Sequence, residues 1–105
     1  MARFDVYPNA GDHSPSTPYL LDVQADLLDG LESRMVIPLR SKDHFPNVKL
    51  PLKLTPVFTI DGKEYLLEVP KMGAVPKRIL KTPVTSLVED QVKIISALDF
   101  LFQGY

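Results

Sequence analysis

Val57-Phe58-Thr59-Ile60-Asp61-Gly62-Lys63-Glu64-Tyr65-Leu66-Leu67-Glu68-Val69 decides the class of fold. Asp-Gly tolerates the two positive backbone dihedrals of a type I′ turn, and apolar arms flank it over Val57 to Ile60 and Lys63 to Val69. The segment predicts a β-hairpin. On either side of it, ten prolines stand at 8, 15, 18, 38, 46, 51, 56, 70, 76 and 83. Proline lacks an amide donor and clashes inside a helix, so the chain between them is cut into short pieces. Strands and turns are expected throughout the middle of the molecule.

The pieces read accordingly. Phe4 and Val6 alternate with Arg3, Asp5 and Tyr7, which predicts an N-terminal strand with one buried face. The stretch 19–37 reads as strand, turn, strand, with the polar run Asp29 to Ser33 as the turn. Arg34 to Leu39 is a nearly continuous apolar run bounded by charge, as expected of a central strand covered on both faces. Pro8 to Pro18 reads as a mobile loop. Lys42 to Pro56 is irregular, with a short strand expected among Phe45, Val48, Leu50, Leu52 and Leu54.

Only the last segment carries helical signals. Ser86 followed by Glu89 forms a capping box, Pro83 blocks backward extension, and the helix is expected over Leu87 to Tyr105. At about 100° per residue, Val88, Val92, Ile95 and Phe102 form one apolar stripe, and Leu87, Ile94, Leu98, Leu101 and Tyr105 form a second beside it. Two packing surfaces are implied. Phe100 falls outside both stripes, near Lys93 and Ser96, and is expected to be partly exposed, whereas Asp99 points into the apolar face. Gly104 is placed to end the helix in the left-handed conformation.

Composition narrows the function. The 105 residues suit one domain over 1–105, and a formal net charge of −1 provides no field for holding a polyanion. Cysteine is absent, which removes thiolate chemistry and fits a reducing compartment. No apolar run approaches a membrane span and the start does not read as a signal peptide, so a cytoplasmic protein is expected. His13 and His44 lie in irregular stretches without metal-ligand spacing, and Asp43-His44 has no serine or cysteine elbow to activate. Asp22, Asp26 and Asp29 read as charged turn residues rather than a cation site. No metal, cofactor or catalytic residue is expected.

Four strings in order resemble the CcdB toxins: Asp22-Val23-Gln24-Ala25-Asp26-Leu27-Leu28-Asp29, Arg34-Met35-Val36-Ile37-Pro38-Leu39, Met72-Gly73-Ala74-Val75-Pro76, and a helix ending in Gly104 plus one apolar residue. The resemblance spans nearly the whole chain. It implies a mainly β fold, an SH3-like β-barrel of the CcdB/Kid type with a small extra antiparallel sheet and one C-terminal α-helix. It also implies a homodimer that is not an enzyme but poisons DNA gyrase through its A subunit, trapping the cleaved gyrase-DNA complex. Neutralisation by a CcdA-like antitoxin, a role in plasmid maintenance or growth regulation, and no direct contact with nucleic acid or membrane come with it.

The same resemblance carries gyrase-binding roles onto Leu27, Leu28, Asp99, Phe102, Gln103, Gly104 and Tyr105, and Phe100 joins this expected gyrase-binding set as a nearby ring. Leu27 and Leu28 read equally as contacts or as residues buried under the helix end, and Phe102 is expected mainly in the core, supporting the tip. Gln103 stands where the family's best-known member carries a stacking tryptophan, so Phe100 or Tyr105 is expected to take over that role. Antitoxin contacts fall on Pro8, Asn9, Asp12 and His13. Two alternatives stay open: a MazF/Kid-like endoribonuclease on the same fold, for which Lys77, Arg78 and Lys81 are the local basic residues, and a non-toxic member acting as an antitoxin decoy.

Overall fold

The computed structural model describes residues 2–11, 14–28, 30–44 and 54–104. The strand expected within 45–54 falls almost wholly outside them, as do Asp12, His13, Asp29 and Tyr105. Seven strands appear among the described residues: β1 (Asp5–Pro8), β2 (Tyr19–Asp22), β3 (Ser33–Ser41), β4 (Val57–Ile60), β5 (Lys63–Leu67), β6 (Gly73–Pro76) and β7 (Thr85–Ser86). They join one antiparallel sheet in the order β4-β5-β3-β2-β1-β7, with β6 also on β3. The sheet curls into a nearly closed barrel, and one helix, α1 (Gln91–Gln103), packs on it. The expected mainly β class is the observed one.

The hairpin forms as its sequence dictates. Val57 pairs with Leu66 and Ile60 with Lys63, while Asp61 and Gly62 take φ of 52° and 76°. The second arm ends at Leu67 rather than Val69, because Pro70 cannot donate to a ladder and Val69–Lys71 closes into a 3-10 turn. β3 is the organising strand. β2 occupies one edge through Val36 to Leu39; on the other, β6 pairs with Ser33 to Val36 and β5 with Leu39 to Ser41. The β4–β5 hairpin is therefore a small wing, continuous with the main sheet through β3.

Two cores lie on the two faces. The larger gathers Phe4, Val6, Leu21, Ile37, Leu39, Phe58, Leu67 and Val69 beneath Leu87, Ile94 and Ala97. The smaller comprises Tyr7, Leu20, Val36 and Leu80. Alternation alone left Tyr7 on a solvated face. It is buried because the chain after β6 returns over that side and inserts Leu80.

Phe4 is, among the described residues outside the hairpin turn, the non-glycine residue with a positive φ. Its φ is 73°, a region costly for a residue with a Cβ, and it persists because both ends are tied. The Phe4 amide donates to the Asp22 carbonyl at 2.6 Å, and its carbonyl accepts from the Leu87 amide at 2.8 Å. The ring is buried in the larger core. One residue thus joins the end of β2 to the approach to α1.

Candidate functional site

α1 separates its two apolar stripes. Ile94 and Ala97 are fully buried, and Ile95, Leu98 and Leu101 pack half-buried against them. Of the stripe expected over Val88, Val92, Ile95 and Phe102, Val92 is 76 % and Phe102 72 % exposed, and Val88, in the turn before α1, 47 %, whereas Ile95 joins the packed side. Two surfaces were expected, and the chain itself covers only one. The helix starts later than its sequence suggests. Ser86 lies in β7 and its hydroxyl accepts from the Val88 amide at 3.2 Å, after which Val88–Asp90 forms a 3-10 turn. Ser86 therefore does not cap α1, because pairing with β1 holds it in a strand.

At the far end Gly104 takes φ of 79° and donates its amide to the Phe100 carbonyl at 2.9 Å, the expected left-handed stop. The tip rings are arranged differently from expectation. Phe102 is not core: it sits in the last turn of α1, where the rest of the described chain leaves its ring 72 % exposed. Phe100 is half-buried on the side of Lys93. Asp99 and Gln103 are exposed, and Tyr105 lies outside the described residues.

The second apolar feature is a 3-10 turn, Asp26–Leu28. Leu27 is 97 % exposed and Leu28 48 %, so neither is buried under the helix. Hydrogen bonds fix this turn from behind. Arg34 and Asp22, which the sequence presents as a flanking charge and a turn carboxylate, are both fully buried and form an ion pair at 2.6 Å. The Arg34 Nε donates to Asp22 Oδ2 at 2.9 Å, and the Gln24 amide donates to Asp22 Oδ1 at 3.0 Å. Burial pushes the Asp22 carboxyl above its ordinary range, opposed by the hydrogen bond from Arg34. No local sequence signal marks this pair; the register of β2 on β3 makes it, setting Asp22 opposite Val36, two residues from Arg34.

Arg3 and Phe4 link turn and helix. The Arg3 amide donates to Asp26 Oδ1 at 2.7 Å, while Phe4 holds Leu87. The turn is thus stitched to the segment entering α1, about 18 Å along the helix axis from Gln103. Two adjacent residues, Arg3 and Phe4, thus carry the bonds to the turn and to the segment ahead of α1.

A family model described as CcdB protein matches residues 3–104. The chain belongs to the CcdB family. Membership supports a CcdB-type toxin, and toxin–antitoxin partners in general. Of the positions that the CcdB resemblance singled out for gyrase, the structure therefore forms two exposed groups, Leu27 with Leu28 and Asp99 with Phe102, Gln103 and Gly104, with Phe100 half-covered beside the second.

Of the positions expected to meet an antitoxin, Pro8 and Asn9 are among the described residues. Pro8 is exposed at the end of β1, and Asn9 staples the loop beyond it. Asn9 Nδ2 donates to the Thr17 carbonyl at 2.8 Å, its Oδ1 accepts from the Gly11 amide at 3.0 Å, and its own amide donates to the Pro18 carbonyl. The described ends of this loop are hydrogen-bonded rather than free. Beside it opens a cleft of about 530 Å³ lined by Asn9, Ser16, Thr17, Arg40, Glu68 and Lys71.

The basic residues lie elsewhere. Lys77 and Arg78 form a 3-10 turn with Ile79 and flank a hollow of about 610 Å³ together with Gly30, Leu31 and Glu32. Glu32 sits among the cations, and its carbonyl accepts from the Lys77 amide at 2.7 Å. No helix among the described residues is long and apolar enough to cross a membrane.

Proposed function

We propose that this protein is the toxin of a toxin–antitoxin pair that binds the A subunit of DNA gyrase and traps the enzyme with its DNA cut. The toxin catalyses no reaction itself. It acts in the cytoplasm as a homodimer and is neutralised by a CcdA-like antitoxin, with Pro8, Asn9, Asp12 and His13 among the antitoxin contacts. The observation that carries this reading, within the CcdB family, is the outer face of α1. Val92 and Phe102 are each more than 70 % exposed there, large apolar side chains that a partner would cover.

The gyrase-facing set is Leu27, Leu28, Asp99, Phe100, Phe102, Gln103, Gly104 and Tyr105. Among the described rings, Phe102 is the one that replaces the missing stacking group beside Gln103, because Phe100 is half-covered. An exposed aromatic can meet an arginine face-on and supply a large share of interface energy. Leu27 and Leu28 of one subunit complement the helix tip of the other.

The test is capture of purified gyrase A subunit on the immobilised protein. Wild type retains the subunit and Phe102→Ala loses most of it. Retention by neither, with RNA cut by the protein alone, supports the ribonuclease instead. Antitoxin binding without either activity supports the decoy.

A further inference from the structure

Leu27 is 97 % exposed, yet the chain around it is held on both sides. The Gln24 side chain bridges two segments: its Oε1 accepts from the Met35 amide at 3.0 Å, and its Nε2 donates to the Leu28 carbonyl at 3.1 Å. The buried Arg34 guanidinium also donates to the Gln24 carbonyl at 3.3 Å, so the bridge stands on the Arg34–Asp22 pair. From the opposite side Asp26 accepts from the Arg3 amide, and Arg3 Nε donates to the Val23 carbonyl at 2.9 Å. Inside the turn, the Leu28 amide reaches the Ala25 carbonyl and the Leu31 amide the Leu28 carbonyl.

Fixing a backbone residue costs about 1–2 kcal/mol of conformational entropy, and an exposed leucine returns no burial energy in the free chain. Ordering an exposed apolar side chain before it meets a partner lowers the cost of binding. We propose that Gln24 and Asp26 are positioning residues: together they latch the 24–28 turn so that Leu27 and Leu28 are presented ready-formed to the gyrase A subunit. The proposal rests on the reading of that turn as part of the gyrase face. Gln24 and Asp26 act through Leu27 rather than by touching gyrase.

The test reads the free protein and the complex separately. In Gln24→Ala and Asp26→Ala, amide hydrogen exchange at Leu28 and Leu31 accelerates about tenfold or more, while α1 amides and the thermal midpoint stay put. Asp26→Asn, which keeps the acceptor, restores slow exchange. Unchanged exchange in both alanine variants overturns the latch whatever gyrase does. In a double-mutant cycle, Gln24→Ala weakens gyrase A binding by about three- to tenfold in the wild-type background and by nothing further in Leu27→Ala. Full additivity overturns the positioning role. If Leu27→Ala alone leaves affinity unchanged, the turn is not part of the gyrase face and presentation falls with it, and the exchange result still distinguishes that failure from failure of the latch.

Discussion

Arg34 and Asp22 are both fully withdrawn from solvent, with guanidinium nitrogen and carboxylate oxygen 2.6 Å apart. Desolvating such a pair offsets much of its attraction, but removing one member leaves the other charge buried alone. Arg34→Ala is expected to destabilise the fold by about 3–5 kcal/mol, read from urea unfolding. A loss below about 1 kcal/mol would mean that water reaches Asp22.

The two faces of α1 should respond oppositely. Ile94 is fully buried in the larger core, and Ile94→Ala is expected to cost about 2–5 kcal/mol through lost burial and the cavity left behind. Phe102→Ala, on the outer face, should change chain stability by no more than about 0.5 kcal/mol while weakening gyrase A binding. Urea unfolding and a binding titration on the same two proteins give the comparison. Equal destabilisation would place Phe102 in a packed environment.

Gly62 has φ of 76°, and a Cβ there meets no neighbouring atom within 4 Å. The penalty for Gly62→Ala is therefore purely conformational, about 1–2 kcal/mol. Asn at position 61 should be tolerated, since asparagine accepts the positive φ that Asp61 already adopts. Thermal unfolding of Gly62→Ala and Asp61→Asn checks the contrast. A neutral Gly62→Ala would mean that the hairpin relaxes to another turn.

Lys93 guards the outer edge of the hairpin. Its Nζ donates to the Val57 carbonyl at 2.7 Å and lies 4.5 Å from the centroid of the Phe58 ring. Exposed strand edges invite pairing with other chains, and a lysine across the edge discourages it. Lys93→Met is expected to cost about 0.5–1.5 kcal/mol and to raise light scattering at high protein concentration. Scattering indistinguishable from wild type would show that the edge is protected by other means.

Local chemistry made the sheet and the helix legible. Asp61-Gly62 specified its turn, Arg34 to Leu39 its central strand, and the stripe pattern after Leu87 its helix. What the sequence hid was tertiary. The burial of Tyr7 depends on Leu80 returning from a distant segment, and Arg34 looks like a solvated strand end until the register of β2 and β3 brings Asp22 to it. The candidate site was legible in part for the same reason. Apolar residues at 27, 28 and 102 stand out in any reading, but which helix stripe the barrel covers depends on how α1 rolls onto Val69 and its neighbours, and that left Phe102 outside.

Whether this CcdB-family protein poisons gyrase is read from a plasmid cleavage assay. Supercoiled DNA is incubated with gyrase and ATP, with and without the protein, and the complexes are trapped with detergent. Linear DNA is expected to accumulate with the protein and gyrase together and with neither alone, and to diminish with Phe102→Ala. No linear DNA from a folded protein that binds the gyrase A subunit, or cleavage of RNA by the protein alone, would contradict it.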